Sequence, residues 1–184
     1  GGLLADRYLG MRKSVVFGGL LLVLGHLGMA VEGEQARLVG DTVVRDDRAL
    51  QVFYFSLALI VVGVGFLKPN ISTIVGRLYG IDDPRRDAGF TIFYMGINLG
   101  ALTATLVCGY LGVTYGWGYG FGVAGIGMLF GLVTFLHGQK HLRGHAEPPV
   151  PERLRERALP GLNKEWAIYL GAGAGVVAAW QMLQ

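Results

Sequence analysis

Five apolar segments, each near or above the length that crosses a lipid bilayer, constrain this chain more than any other feature. They run at about Val15–Val31, Gln51–Leu67 with a continuation to Tyr79, Ala88–Thr114, Gly118–Leu136 and Trp166–Leu183. A helix rises roughly 1.5 Å per residue, so a bilayer core takes about 20 apolar residues. The expected fold is all-α, a polytopic transmembrane bundle of about five helices. Composition agrees: 52% of residues are hydrophobic and mean hydropathy is +0.47. Charged residues make up only 16%, well below the usual quarter. The 31 glycines lie inside the apolar runs, where they suit close helix packing in lipid.

Charge in the connections fixes the orientation. Arg7, Arg12 and Lys13 precede the first segment, and Arg77, Arg85 and Arg86 lie between the second and third. The stretch 138–165 carries Lys140, Arg143, Arg153, Arg155, Arg157 and Lys164. By the positive-inside rule these three regions are cytoplasmic. The alternate connections agree: "EGEQARLVGDTVVRDDRAL" has more acids than bases, and "YLGVTYGWG" has no charge. The formal charge of +3 therefore reflects membrane orientation, and no nucleic-acid partner is expected. The sole cysteine, Cys108, excludes an intrachain disulfide and reads as a packing residue. The opening "GGLLADRYLG" has no methionine start and no signal-peptide core, so the chain reads as an internal piece of a longer one.

The segment "GQKHLRGHAEPPVPERLRERALPGLNKE" is the one linker. Its prolines prevent a continuous helix across Glu147 to Pro151, and "PERLRERAL" is expected to form a short amphipathic helix at the membrane surface. His137, His141 and His145 are spaced i, i+4, i+8, but no acidic or cysteine ligand accompanies them. They read as a solvated face, with no metal site or cofactor. No nucleophile–base pair is present either, so the chain is not read as an enzyme.

One residue breaks the apolar pattern. In "VVGVGFLKPNISTIV", Lys68 sits between two apolar runs, directly before Pro69. A lysine at a helix centre costs about 2.5–3.5 kcal/mol on insertion scales, so it is usually paired or lines a wet cavity. All thirteen acids of the chain lie outside the apolar cores. From Pro69 to Gly80 a helix spans roughly 18 Å, too far for a lysine stem to reach the next charged loop. The inferred counter-ion of Lys68 is on a helix outside this sequence. Pro69 should bend or loosen the helix beside it.

Three further stretches carry polar chemistry. In "FTIFYMGINLGA", Tyr94 and Asn98 share one helix face, while Gly96 and Gly100 lie about 200° away. The glycine face would admit a neighbouring helix and leave a phenol and an amide lining a cavity; a helix-to-helix hydrogen bond from Asn98 is the plainer reading. In "GGLLADRYLGMRK", Asp6 is placed to cap a helix or pair with Arg7 or Arg12, and Gly10 permits a tight turn. His26 reads as a neutral histidine bonded to a neighbouring helix in preference to a proton carrier. The glycine spacings of "YGWGYGFGVAGIG" have no strand context and read as helix packing, not dinucleotide binding.

Together, "GGLLADRYLGMRK", "GVGFLKPNIS" and "FTIFYMGINLGAL" resemble the proton-dependent oligopeptide transporter (POT, or PTR2) family of the major facilitator superfamily. The first is similar to the superfamily loop joining the second and third helices, the second to the family's fourth-helix lysine motif, and the third to its fifth-helix signature. The resemblance implies that residues 1–137 hold the third to sixth helices of the N-terminal bundle. Residues 138–165 would be a cytoplasmic linker, and 166–184 a further transmembrane helix, either the seventh or an inserted one. The small-residue run "AIYLGAGAGVVAAW" favours the inserted helix. The first helix with its ExxER motif, and the C-terminal bundle, would lie outside this sequence.

By the same resemblance, Lys68 would pair with a glutamate of that motif, bind the peptide carboxylate and take part in proton coupling. Tyr94 and Asn98 would line the substrate site, and Asp6, Arg7, Arg12 and Lys13 would form cytoplasmic gating contacts. The implied activity is symport of di- and tripeptides with protons across the inner membrane by rocking of two bundles. The alternative is a related carrier for another anionic or zwitterionic solute, such as nitrate or modified amino acids. A reading from another class is a non-transporting receptor or scaffold on the same bundle.

Overall fold

Each apolar segment forms a helix, and local chemistry sets where it starts and stops. The computed structural model describes residues 2–31, 33–34, 36–142, 144–159 and 162–184. Glu32, Arg143 and the side chains of Arg153 and Arg155, named above, lie outside the described residues. The chain opens with α1 (Gly2–Leu4) and a π-helical turn (Ala5–Leu9), then enters α2 (Gly10–Met29). Next come α3 (Asp47–Arg77), α4 (Arg86–Tyr115) and α5 (Trp117–Gly138), the short α6 (Pro151–Arg155), and α7 (Lys164–Leu183). Five helical spans are long and apolar enough to cross a membrane.

Capping extends two helices beyond their apolar cores. Asp46 Oδ1 accepts from the N–H groups of Arg48 and Ala49, both at 3.1 Å, and so starts α3 ahead of its apolar run. The Ala49 N–H, followed by that of Glu34, holds the Asp46 carboxyl below its ordinary range. Asn163 Oδ1 accepts from Trp166 N–H at 2.9 Å and starts α7 in the same way. Pro69 does not end α3, which runs unbroken to Arg77. Side chains of its neighbours bond the surrounding carbonyls: Asn70 Nδ2 donates to Phe66 O at 2.6 Å, and Thr73 Oγ1 to Pro69 O at 2.7 Å. The irregularity at Pro69 is thus one of hydrogen bonding within a continuous helix.

Helix α2 is the central post, packed against α3 and α5. Gly18 and Gly63 make the α2–α3 seam possible, since a Cβ on Gly18 would stand 2.7 Å from Gly63 O. The α4–α5 contact is equally close: a Cβ on Gly120 would lie 2.7 Å from Cys108 O, which accords with the packing reading of the glycine-rich run. Helix α4 also touches α3 and is nearly all exposed, with Gly112 its one buried residue. Helix α7 packs along α3.

The linker departs most from expectation. It contains a 3-10 turn at Gln139–Leu142, then α6, then β3 (Arg157–Leu159) paired antiparallel with β4 (Leu162–Asn163). The amphipathic helix is only five residues, and its Leu154 is buried against Leu9, Phe66 and Ala172. Ala146 is likewise buried with Met11, Val15 and Ile74. The linker therefore folds onto the helix ends as a strap, because its two small apolar anchors gain more by burial there. Since α5 stops at Gly138, His137, His141 and His145 do not form a helical ladder. On the outer side, the acidic connection forms a hairpin, β1 (Arg37–Val39) with β2 (Thr42–Val44), turned at Gly40 with φ 62°.

Candidate functional site

The polar face predicted around Lys68 is built on the α3–α4 hairpin. Near its turn a Cβ on Gly76 would lie 3.4 Å from Phe90 Cζ, so the two helices touch there. Lys68 lies eight residues before Gly76, and Asn98 eight residues after Phe90. Each is therefore about 12 Å along its own helix from that contact. Phe90, Tyr94 and Asn98 form an i, i+4, i+8 stripe, with the Phe90 and Tyr94 rings stacked at 6.5 Å between centroids. Asn98 Nδ2 donates to Tyr94 O at 2.8 Å, so the amide turns back on its own helix and keeps its oxygen open as an acceptor.

This face is open. Lys68 and Asn98 are exposed, and Tyr94 is 57% exposed. Among the described residues, no carboxylate pairs with the Lys68 ammonium. Nothing lies within 4 Å of a Cβ built on Gly96 or Gly100, so the neighbouring helix expected on that face is not among the described residues. Among the described residues Asn98 makes no bond to another helix. His26 differs in the same way: its Nδ1 bonds Leu22 O at 2.7 Å on its own helix, not a neighbour.

The second cluster, a rim at the N-terminal end of α2, is closed by the strap. Arg12 Nε stands 2.7 Å from Glu147 Oε1, while its Nη2 donates to Glu147 Oε2 and its Nη1 to Gln139 Oε1, both at 3.0 Å. The backbone N–H of Arg12 donates to Ala146 O at 2.9 Å. Lys13 Nζ donates to Glu165 Oε1 at 2.6 Å, and Tyr169 Oη donates to the same oxygen at 3.2 Å. Gly10 bears this out twice. Its φ is 74°, and a Cβ there would fall 2.5 Å from Pro148 N.

Asp6 and Arg7 do not join this cluster. Both are exposed, and neither has an ion-pair partner among the described residues, so the expected pairing of Asp6 with Arg7 or Arg12 is replaced by Arg12 with Glu147. Asp6 makes no cap either. Sequence reasoning missed Glu147, Glu165 and Gln139, which lie more than 120 residues from their partners with no shared period to link them.

What the fold and this site define is a polytopic helical membrane protein with exposed polar side chains on α3 and α4 and an ionic rim at the N-terminal end of α2. The family model described as POT family, PTR2, matches residues 12–153. The chain belongs to the POT family. Among curated relatives, it is 42% identical over 166 residues to the peptide transporter YePEPT of Yersinia enterocolitica, covering 90% of this chain and 28% of the relative. It is 42% identical over 159 residues to the di-/tripeptide transporter of Lactobacillus helveticus, covering 81% of this chain and 29% of that one. A crystal structure of the peptide transporter POT in complex with sulfate matches with a TM-score of 0.70 and 45% identity, over 97% of this chain and 32% of the other. The chain spans about a third of the length of the relatives it matches.

Proposed function

We propose that the full-length protein is a proton-coupled symporter of di- and tripeptides in the inner membrane, working by alternating access. Residues 1–137 supply the third to sixth helices of its N-terminal bundle, 138–165 the cytoplasmic linker, and 166–184 an inserted or seventh helix. The observation that carries this reading is the Lys68 ammonium, exposed within an apolar helix and without a carboxylate among the described residues. The matched relatives named as peptide and di-/tripeptide transporters support the substrate class.

The chemistry follows from one cation with two possible anions. A lysine in an apolar setting needs a carboxylate, and either a glutamate of another helix or the peptide C-terminus supplies one. Protonating that glutamate releases Lys68 to the peptide, which couples proton and substrate binding as a single free energy. Tyr94 and Asn98 add a phenol and an open amide oxygen, suited to the peptide's amino end and backbone. At the gate, Asp6 and Arg7 make no ion pair among the described residues and would meet partners on the other bundle, whereas Arg12 and Lys13 hold the strap.

The test is Lys68→Gln in the full-length protein in proteoliposomes. Proton-driven dipeptide accumulation is expected to fall to background; unchanged accumulation would overturn the proposal.

A further inference from the structure

The peptide-transport reading gives α7 no task, yet α7 lies along the helix that carries Lys68. The pairing with α3 is antiparallel. Gln184 Nε2 donates to Gln51 Oε1 at 2.9 Å near the start of α3, the Trp180 and Phe55 rings meet edge to face with centroids 6.1 Å apart, and Ala172 is buried with Phe66. About one turn nearer the start of α7, the Tyr169 ring lies 4.8 Å from that of Phe17 on α2. Phe17 in turn packs edge-on to Phe66 at 5.1 Å, with 85° between the planes. Three rings from three helices thus form one stack that ends on α3.

The stack ends on a weakened turn. Pro69 has no N–H, so the carbonyl of Gly65 receives no bond from position 69. Gly65 adds backbone freedom, and nothing lies within 4 Å of a Cβ built on it. Phe66 and Lys68 both sit between these two residues. Phe66 is 5% exposed, whereas Lys68, two residues on and about 200° round the helix, is exposed. The stack therefore holds the turn from behind and leaves the ammonium open. Aromatic pairs have preferred geometries, so they fix an orientation as well as cover area.

We propose that Tyr169 is a positioning residue for Lys68, its stack with Phe17 and Phe66 holding the Pro69 turn so that the ammonium meets the peptide carboxylate. The role given to Lys68 rests on the peptide-transport reading. Helix α7 is then a brace on the back of the substrate helix. The ring carries the effect, and the hydroxyl serves the mounting: Tyr169 Oη donates to Glu165 Oε1 at 3.2 Å, the oxygen that also accepts from Lys13 Nζ at 2.6 Å. The ring is thus tethered where α7 is tied to α2.

The experiment is electron paramagnetic resonance of the full-length protein carrying a nitroxide at Lys68→Cys, with its native cysteines replaced. Tyr169→Ala is expected to convert the immobilised component of the spectrum to a mobile one, and Tyr169→Phe, which keeps the ring, to leave it as in the parent. Phe17→Leu breaks the stack at its middle with a smaller loss of volume and should match Tyr169→Ala. Leu154→Ala loosens the same apolar cluster from the strap but removes no ring, so it should leave the label immobilised and controls for lost stability. With Lys68 in place, Tyr169→Ala should raise the KM for dipeptide uptake about tenfold, as slight misplacement of a binding group does, with the maximal rate nearly kept. An unchanged spectrum in Tyr169→Ala or in Phe17→Leu would overturn the proposal. So would equal mobility in Tyr169→Ala and Leu154→Ala, because general packing would then explain both. The spectrum does not depend on transport: loss of uptake in Lys68→Gln without a Tyr169 effect sinks the brace alone.

Discussion

The two polar regions of this chain solve the same electrostatic problem in opposite ways. At the rim, Arg12 and Lys13 find Glu147 and Glu165 within the chain, at 2.7 and 2.6 Å. On α3, Lys68 finds no carboxylate among the described residues. The rim is folded against itself and buries apolar anchors beside its ion pairs, which is how a structural contact is stabilised. Lys68 on α3 and Tyr94 and Asn98 on α4 are each exposed instead. That difference is why the substrate-site proposal is built on Lys68 and not on the rim.

The largest effects that bear on this contrast come from the anchors. Lys68→Gln, whose uptake test is given above, removes the charge on the open side. On the closed side, Leu154 is 2% exposed between Leu9, Phe66 and Ala172, so Leu154→Ala leaves a cavity under the strap. The expected cost is about 2–3 kcal/mol, read as a fall in thermal unfolding midpoint of the full-length protein. Dipeptide competition at the inner face should survive at a temperature where the variant is folded. Joint loss of both under those conditions would erase the distinction between the two regions.

The ion pair beneath the strap is a smaller contributor. Arg12 and Glu147 side chains are 30% and 45% exposed, so solvent screens their attraction, and of the two close approaches only Nη2 makes a hydrogen bond. A double-mutant cycle with Arg12→Gln and Glu147→Gln should return a coupling of about 0.5–1 kcal/mol. A coupling near zero would mean that burial of Ala146 and Leu154 alone holds the strap, and the rim would lose its ionic character in the comparison.

How far the sequence anticipates these regions follows from the range of the interactions involved. Apolar run length specifies each helix by itself, so all five were legible. Tyr94 and Asn98 could be grouped because one helix, α4, sets their spacing, and Lys68 in α3 could be singled out because a charge in an apolar run is conspicuous in one dimension. Glu147 and Glu165 looked like two more loop acids, since their significance lies in contacts across 135 and 152 residues that only the fold creates. The strap's short strands and its buried Leu154 were illegible for the same reason: "PERLRERAL" has helical periodicity, and only the neighbouring helix ends decide which residue is buried. The hairpin at 37–44 was read as plain loop, its three-residue strands being too short to show alternation.

Asn98→Ala tests the open side with little structural disturbance. The side chain is exposed and bonds only its own helix at Tyr94 O, so thermal stability should change by no more than about 0.5 kcal/mol. Affinity for a competing dipeptide should nonetheless fall, measured against a labelled peptide in detergent. Unaltered affinity would leave Asn98 as a helix-surface residue and narrow the site to Lys68 and Tyr94.

The smallest effect belongs to a pair that serves as a control for both regions, because its partners are only two residues apart. Asp83 accepts from Arg85 Nη2 at 2.8 Å and Nε at 3.1 Å in the exposed cytoplasmic turn between α3 and α4. The Arg85 side chain, then its backbone N–H, lowers the Asp83 carboxyl from 3.8 to about 2. A carboxyl whose folded value is depressed adds stability that is fully present above 3.8 and is lost as pH falls toward about 2. At neutral pH the pair is therefore intact, and proton-driven transport across that range should not sense it. Arg85→Gln should return the Asp83 titration, followed by carboxyl NMR in the full-length protein, toward its ordinary value. A midpoint that stays near 2 would show that the backbone N–H of residue 85 alone holds the charge, and local geometry, not ion pairing, would then govern this turn.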